Sequence, residues 1–214
     1  MSHLQKWRRW CGRIESDILI PYKFDKLIAE EYFQVIKPVL DSGAPPDFHN
    51  WCTANYGFSI AMVVRKLSDD DSRVYSIRKL VGDIAENHRA IKKQSYIRRH
   101  PAHFRSLAKD NWNKCVSPTK DFLPKAIPLQ HIEEIKASTK RVNSITNNFL
   151  AHTGRVKNKK YTVEFDEMYG VVRRLISIGY FYSDLVGGNN IPDDDSNVVI
   201  TRDWQNIFKE SWIK

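Results

Sequence analysis

The sequence predicts an all-α protein: a helical bundle with an irregular insertion and a short C-terminal extension, read as one domain over residues 1–214. Three observations carry this. Apolar residues recur at steps of three and four through several long segments, the spacing that lines one face of a helix. Turn signals such as Asp41-Ser42-Gly43, Ser68 to Ser72 and Gly187-Gly188 separate those segments. The composition, 42% hydrophobic and 28% charged with no repeat or low-complexity stretch, is that of a chain able to bury a core.

Trp7, Cys11, Ile14 and Ile18 define a first helix, from about Ser2 to its expected end at Pro21. Phe24, Leu27, Ile28, Val35, Ile36 and Leu40 form the core stripe of a second. Asp47 is placed to cap a third helix, Phe48 to Leu67, and a fourth is expected from Arg73 to about Ser95. Between Tyr96 and Pro128 the periodicity weakens and four prolines intervene, which defines the insertion; a short helix fits His103 to Trp112. The pattern returns from Leu129 through Ile132, Ile135, Val142, Ile145 and Phe149 to a stop at Gly154. A last long helix carries Phe165 to Tyr180 and closes at Gly187-Gly188. Beyond it lie the acidic run Asp193 to Asp195, a candidate strand Val198 to Ile200, and an amphipathic stretch through Trp204, Ile207, Phe208 and Trp212.

Charge narrows the function classes. The net charge of +9 and pI near 9.4 favour polyanionic partners, nucleic acid above all. No stretch is long and apolar enough for a membrane span, and Met1 to Arg13 does not read as a signal peptide. Three well-separated cysteines, Cys11, Cys52 and Cys115, fit neither a disulfide framework nor a thiolate metal site, so a reducing cytoplasmic compartment is expected. Nine Lys or Arg residues lie between Arg89 and Lys120 against one acid, Asp110, and seven between Lys136 and Lys160 against none. Two readings fit such runs: solvated helix faces, or an RNA surface to which Lys140, Arg155, Lys157, Lys159, Lys160, Arg98 and Arg99 contribute. If the fourth and fifth long helices bring both runs onto one face, the second is favoured.

No phosphate-cradling glycine loop and no ordered nucleophile triad is present. The pair His100 and His103, interrupted by Pro101 and without carboxylate or thiolate partners, does not make a metal site, and no cofactor is expected. The informative stretch is Lys140 to Gly154. On a helix His152 falls four residues after Asn148 and seven after Ile145, at the C-terminal end and beside the cations 155–160. There an imidazole either caps the last carbonyls or exchanges protons near a bound anion.

The run Asn147-Asn148-Phe149-Leu150-Ala151-His152-Thr153-Gly154 resembles the end of the signature helix of HEPN-superfamily domains, in particular the abortive-infection, AbiU-type branch. Met62 to Asp70, Tyr75 to Val81 and Tyr161 to Glu167 are similar to further elements of that branch, so the resemblance spans about 51–186 and leaves 187–214 as an extension. It implies a helical bundle, commonly dimeric, whose catalytic members cut RNA without a metal; phage-defence or toxin activity and an antitoxin partner follow as expectations. The family signature is an Arg, a polar residue, a short spacer and a His, with Arg and His from two subunits converging on the scissile phosphate. His152 matches the His and Asn148 the polar residue, but Asn147 stands where the Arg is usual. Asn has neither the charge nor the planar fork of Arg. Arg141, eleven residues before His152 and about 16 Å away along a helix, could serve only across a dimer. Arg98-Arg-His-Pro-Ala-His103 matches the signature literally, but Pro101 disfavours the helix that it needs. The alternatives are thus a metal-independent endoribonuclease, a degenerate module that binds RNA or protein without cleavage, and a homodimeric scaffold.

Overall fold

The computed structural model describes residues 1–43, 46–146 and 163–188. Its elements are helices α1 (His3–Ile14), α2 (Ile20–Asp41), α3 (Asp47–Ser68), α4 (Ile77–Glu86), α5 (Lys93–Arg99), α6 (Arg105–Cys115), α7 (Ala126–Thr146) and α8 (Phe165–Val186), with 3-10 turns at His88–Ala90 and Ala102–Phe104. This is an all-α bundle among the described residues.

Pro21 does not end the first helix. A π-helical turn, Glu15–Leu19, joins α1 to α2 in one rod, and the Ile20 N–H reaches back five residues to the Glu15 carbonyl. Pro21 is the second residue of α2 and follows directly on the π-turn, where the regular i→i−4 ladder is already interrupted. Trp7, Trp10, Cys11 and Ile14 are buried as the first stripe requires. The second stripe is not the core face: Phe24 and Val35 are exposed, and the buried residues of α2 are Tyr22, Ala29 and Tyr32.

Asp47 is the first residue of α3 rather than its cap, a role that falls to Pro46. The fourth helix is much shorter than expected at both ends. Ser76 caps α4, its Oγ accepting from the Lys79 N–H at 3.0 Å, and Asn87 ends it by donating its side-chain amide to the Asp83 carbonyl. The chain then runs extended at Ile91–Lys92, where Lys92 bridges Phe122 and the Leu123 N–H donates to the Ile91 carbonyl at 3.0 Å. This clasp holds the insertion, α5 and α6, around the buried Tyr96, Trp112 and Leu123.

Helices α3, α4, α7 and α8 pack against one another, and α1 closes over α4 and α8. Lys6 Nζ and Trp7 Nε1 both donate to the Asp83 carboxylate at 2.6 Å, tying α1 to α4. Helices α7 and α8 run antiparallel, with His131 against Tyr182 at one end and Arg141 against Glu167 at the other. Helix α8 closes as expected. Gly187 adopts φ +75°, and the N–H groups of Gly187 and Gly188 donate back to the carbonyls of Asp184 and Ser183.

Candidate functional site

The C-terminal half of α7 carries one part of the sequence-predicted site among the described residues. Ile135, Thr139, Val142 and Thr146 face the core at steps of four, three and four. The buried hydroxyls of Thr139 and Thr146 donate to carbonyls four residues back, at 2.8 and 2.9 Å, so polarity there costs no unpaired group. Asn143 donates to Ser68 Oγ at 2.9 Å and fixes this turn against the end of α3. On the opposite face Lys140 and Arg141 are exposed. Arg141 pairs with Glu167 of α8 at 2.8 Å. Asn147, Asn148, His152, Arg155, Lys157, Lys159 and Lys160 lie outside the described residues.

The remaining predicted pair sits elsewhere. Arg98 is exposed on α5. Arg99 is half-buried, and its Nη2 donates to the carbonyls of Asp184 and Leu185 at 3.0 and 2.8 Å, while Arg8 Nε donates to the Val186 carbonyl at 2.8 Å. Two cations thus cap the negative end of α8. Burial, and after it the Arg8 charge, lowers the Arg99 pKa. Tyr96 beside it donates to Asp184 Oδ2 at 2.8 Å, and burial with that bond pushes its phenol up to about 12. His100 turns its Nδ1 to the Tyr96 carbonyl, and His103 rests on Phe104 in the 3-10 turn that follows Pro101. The literal signature match from Arg98 to His103 is therefore not carried on one helix.

Of the second basic run the described residues are Lys136, Lys140 and Arg141, and these do not share a face with the first run. The first meets α8 at Asp184 and Leu185, the second at Glu167. Seventeen helical residues separate these points, about 26 Å at 1.5 Å per residue. The antiparallel pairing of α7 with α8 carries the end of α7 away from the insertion.

Two further features were not foreseen. Helices α2 and α3 form a hairpin enclosing a groove of about 400 Å³, lined by Ile28, Tyr32, Phe33, Phe48, Trp51 and neighbours. Phe48 and Trp51 stack on each other at its rim and are 51% and 63% exposed. The signal was present as Phe48 and Trp51 three residues apart, but sequence alone does not separate a rim from a core. The second feature is His131, whose Nδ1 lies 2.8 Å from the Tyr182 hydroxyl between α7 and α8. Burial lowers its pKa, Glu134 opposing and Arg174 adding to the shift. Among the described residues no group of three His, Cys, Asp or Glu is disposed to hold a metal, and no helix is long and apolar enough to cross a membrane.

The all-α bundle alone does not define a family; the match of nearly the whole chain to a family model makes it a HEPN-like module. The family model described as AbiU2, a HEPN family, matches residues 13–210, and the chain belongs to that family. No curated protein and no solved structure matches.

Proposed function

We propose that this AbiU2-family protein acts on RNA as a homodimer, with His152 as the proton-transfer group of a metal-independent endoribonuclease used in phage defence or as a toxin. The observation that carries the reading is the acid-free run that begins on the exposed face of α7, Lys140 and Arg141, and continues in sequence past His152 to Lys160. A phosphodiester beside an imidazole needs such cations, both to bind and to offset charge developing in the transition state. The homodimer is supported by the aromatic rim of the α2–α3 hairpin, since exposed apolar surface of this kind marks association sites. It also offers the route by which Arg141 of one protomer meets His152 of the other.

A second reading, RNA binding without cleavage, is favoured by two observations. Asn147 stands at the usual Arg position, and Arg141 is paired with Glu167. One experiment separates the readings. Labelled tRNA and mRNA pools are incubated with the purified protein in EDTA, beside His152→Ala. Cleavage by the wild type, reduced at least about a hundredfold in the variant, supports catalysis. Equal, salt-sensitive binding by both with no cleavage supports the degenerate module. A protein that neither cuts nor binds refutes the RNA reading.

A further inference from the structure

The groove of the α2–α3 hairpin is apolar along its length and charged at one end. Among the described residues Asp25 is the single charged side chain in its lining, and Ser59 Oγ donates to Asp25 Oδ2 at 2.6 Å. Lys26, next in the chain, is engaged with Glu30 at 3.9 Å and with the Tyr169 ring. At the other end the walls are aromatic. Tyr32 meets Phe33 and Phe48 edge-on at 5.5 and 6.5 Å, and Phe48 stacks on Trp51 at 6.0 Å. Asp25 and Phe33 are eight residues apart on α2, as Ser59 and Trp51 are on α3, so carboxylate and rings are about 12 Å apart along the groove.

A cation in such a groove is attracted by the carboxylate and by the negative faces of the rings. The rest of a ligand has to be apolar to match Ile28, Ala29 and the aromatic walls. We propose that the groove binds an organic cation, with a primary ammonium on Asp25 and an apolar body about 10 Å long that ends in a ring against Trp51. The volume of about 400 Å³ admits a molecule of that size. The net charge of +9 disfavours cations at the surface as a whole, so selection for one has to come from this carboxylate. The inference goes beyond the RNA reading and does not depend on it.

Phenylbutylamine has that length and serves as the probe. Phenylbutanol and phenylbutyrate carry the same ring with a neutral and an anionic head. Ligand-observed NMR titration of the full-length protein at neutral pH should give the amine a Kd of about 0.1–1 mM. The alcohol should bind at least about tenfold more weakly, and the butyrate not measurably, although the net charge favours the anion. Asp25→Asn, which keeps an acceptor for Ser59, should bring the amine down to the level of the alcohol and leave the alcohol unchanged. Phe48→Ala, at an exposed position, should weaken amine and alcohol alike, and it locates the site even where Asp25→Asn fails to fold. Equal affinity for amine and alcohol, or amine binding that survives Asp25→Asn, would overturn the proposal. So would an absence of binding, including the case in which Phe48→Ala turns a dimer into a monomer in sedimentation and a second copy is the occupant. No cleavage is measured, so failure here leaves the RNA reading as it stands.

Discussion

The outer face of α7 and the insertion α5–α6 are both basic stretches poor in acids, yet their surroundings differ. On α7 the described cations include paired ones: Arg141 has Glu167 of α8 and Lys136 has Glu133 of its own helix, while Glu134 of α7 in turn holds Arg174 of α8. In the insertion, Arg99 is turned inward onto backbone carbonyls, Lys93 donates to Asn113 and Pro118, and the remaining charge faces outward. Local charge density says where cations are. Whether they are compensated depends on which helix packs alongside. The bundle supplies acids across its seams, and the insertion meets it chiefly through Tyr96, Asp184 and the end of α8.

This contrast can be broken at several points. The largest effect belongs to the α1–α4 seam, where Trp7 is fully buried with its indole N–H on Asp83. Trp7→Ala should cost about 3–5 kcal/mol, read by urea denaturation, through the cavity and the stranded carboxylate. Next comes the junction of insertion and bundle. Gly187→Ala places a Cβ at positive φ against Arg99 and should cost about 1–2 kcal/mol. Part of that loss should return in an Arg99→Met background, as a double-mutant cycle would show.

A smaller, pH-dependent effect comes from His131. Burial lowers its folded-state pKa, so as pH falls below the ordinary value near 6.5 the unfolded chain takes up the proton first. Stability is full above that pH and declines below it, by at most about 1.4 kcal/mol per pH unit. Thermal melts from pH 8 to pH 5 check this, and His131→Asn should lack its share of the decline. The smallest change is Glu167→Gln. It removes an exposed ion pair and should alter stability by less than about 1 kcal/mol. A larger loss would mean that the α7–α8 seam depends on charge rather than on its apolar face.

Much of the fold was legible wherever a signal is local. Trp7, Cys11 and Ile14 are buried, α8 ends where Gly187 allows a left-handed residue, and the third helix keeps its extent to within a residue. What was not legible depends on distant partners. Pro21 reads as a stop because a π-turn cannot be seen in a sequence. The fourth helix is cut short by a clasp to Phe122 and Leu123, more than thirty residues away in sequence. Phe24 and Val35 have the spacing of a core stripe but stay exposed, since burial is set by what packs against α2. The HEPN assignment came from the order of short motifs. The catalytic residues that it implies, His152, Asn147 and Asn148, lie outside the described residues, so from that assignment only Lys140, Arg141, Arg98 and Arg99 can be placed.

The π-turn at Glu15–Leu19 also sets a phase. Each residue of an α-helix rotates the chain by about 100°, so one residue more or fewer in this turn would turn all of α2 about its axis relative to α1. Tyr22, Ala29 and Tyr32 would swing off the core, and the aromatic wall that α2 presents to α3 would turn with them. A single deletion between Glu15 and Leu19 would thus re-index twenty-two residues at once. In this rod the spacing along the chain is under tighter constraint than the identity of most of its side chains.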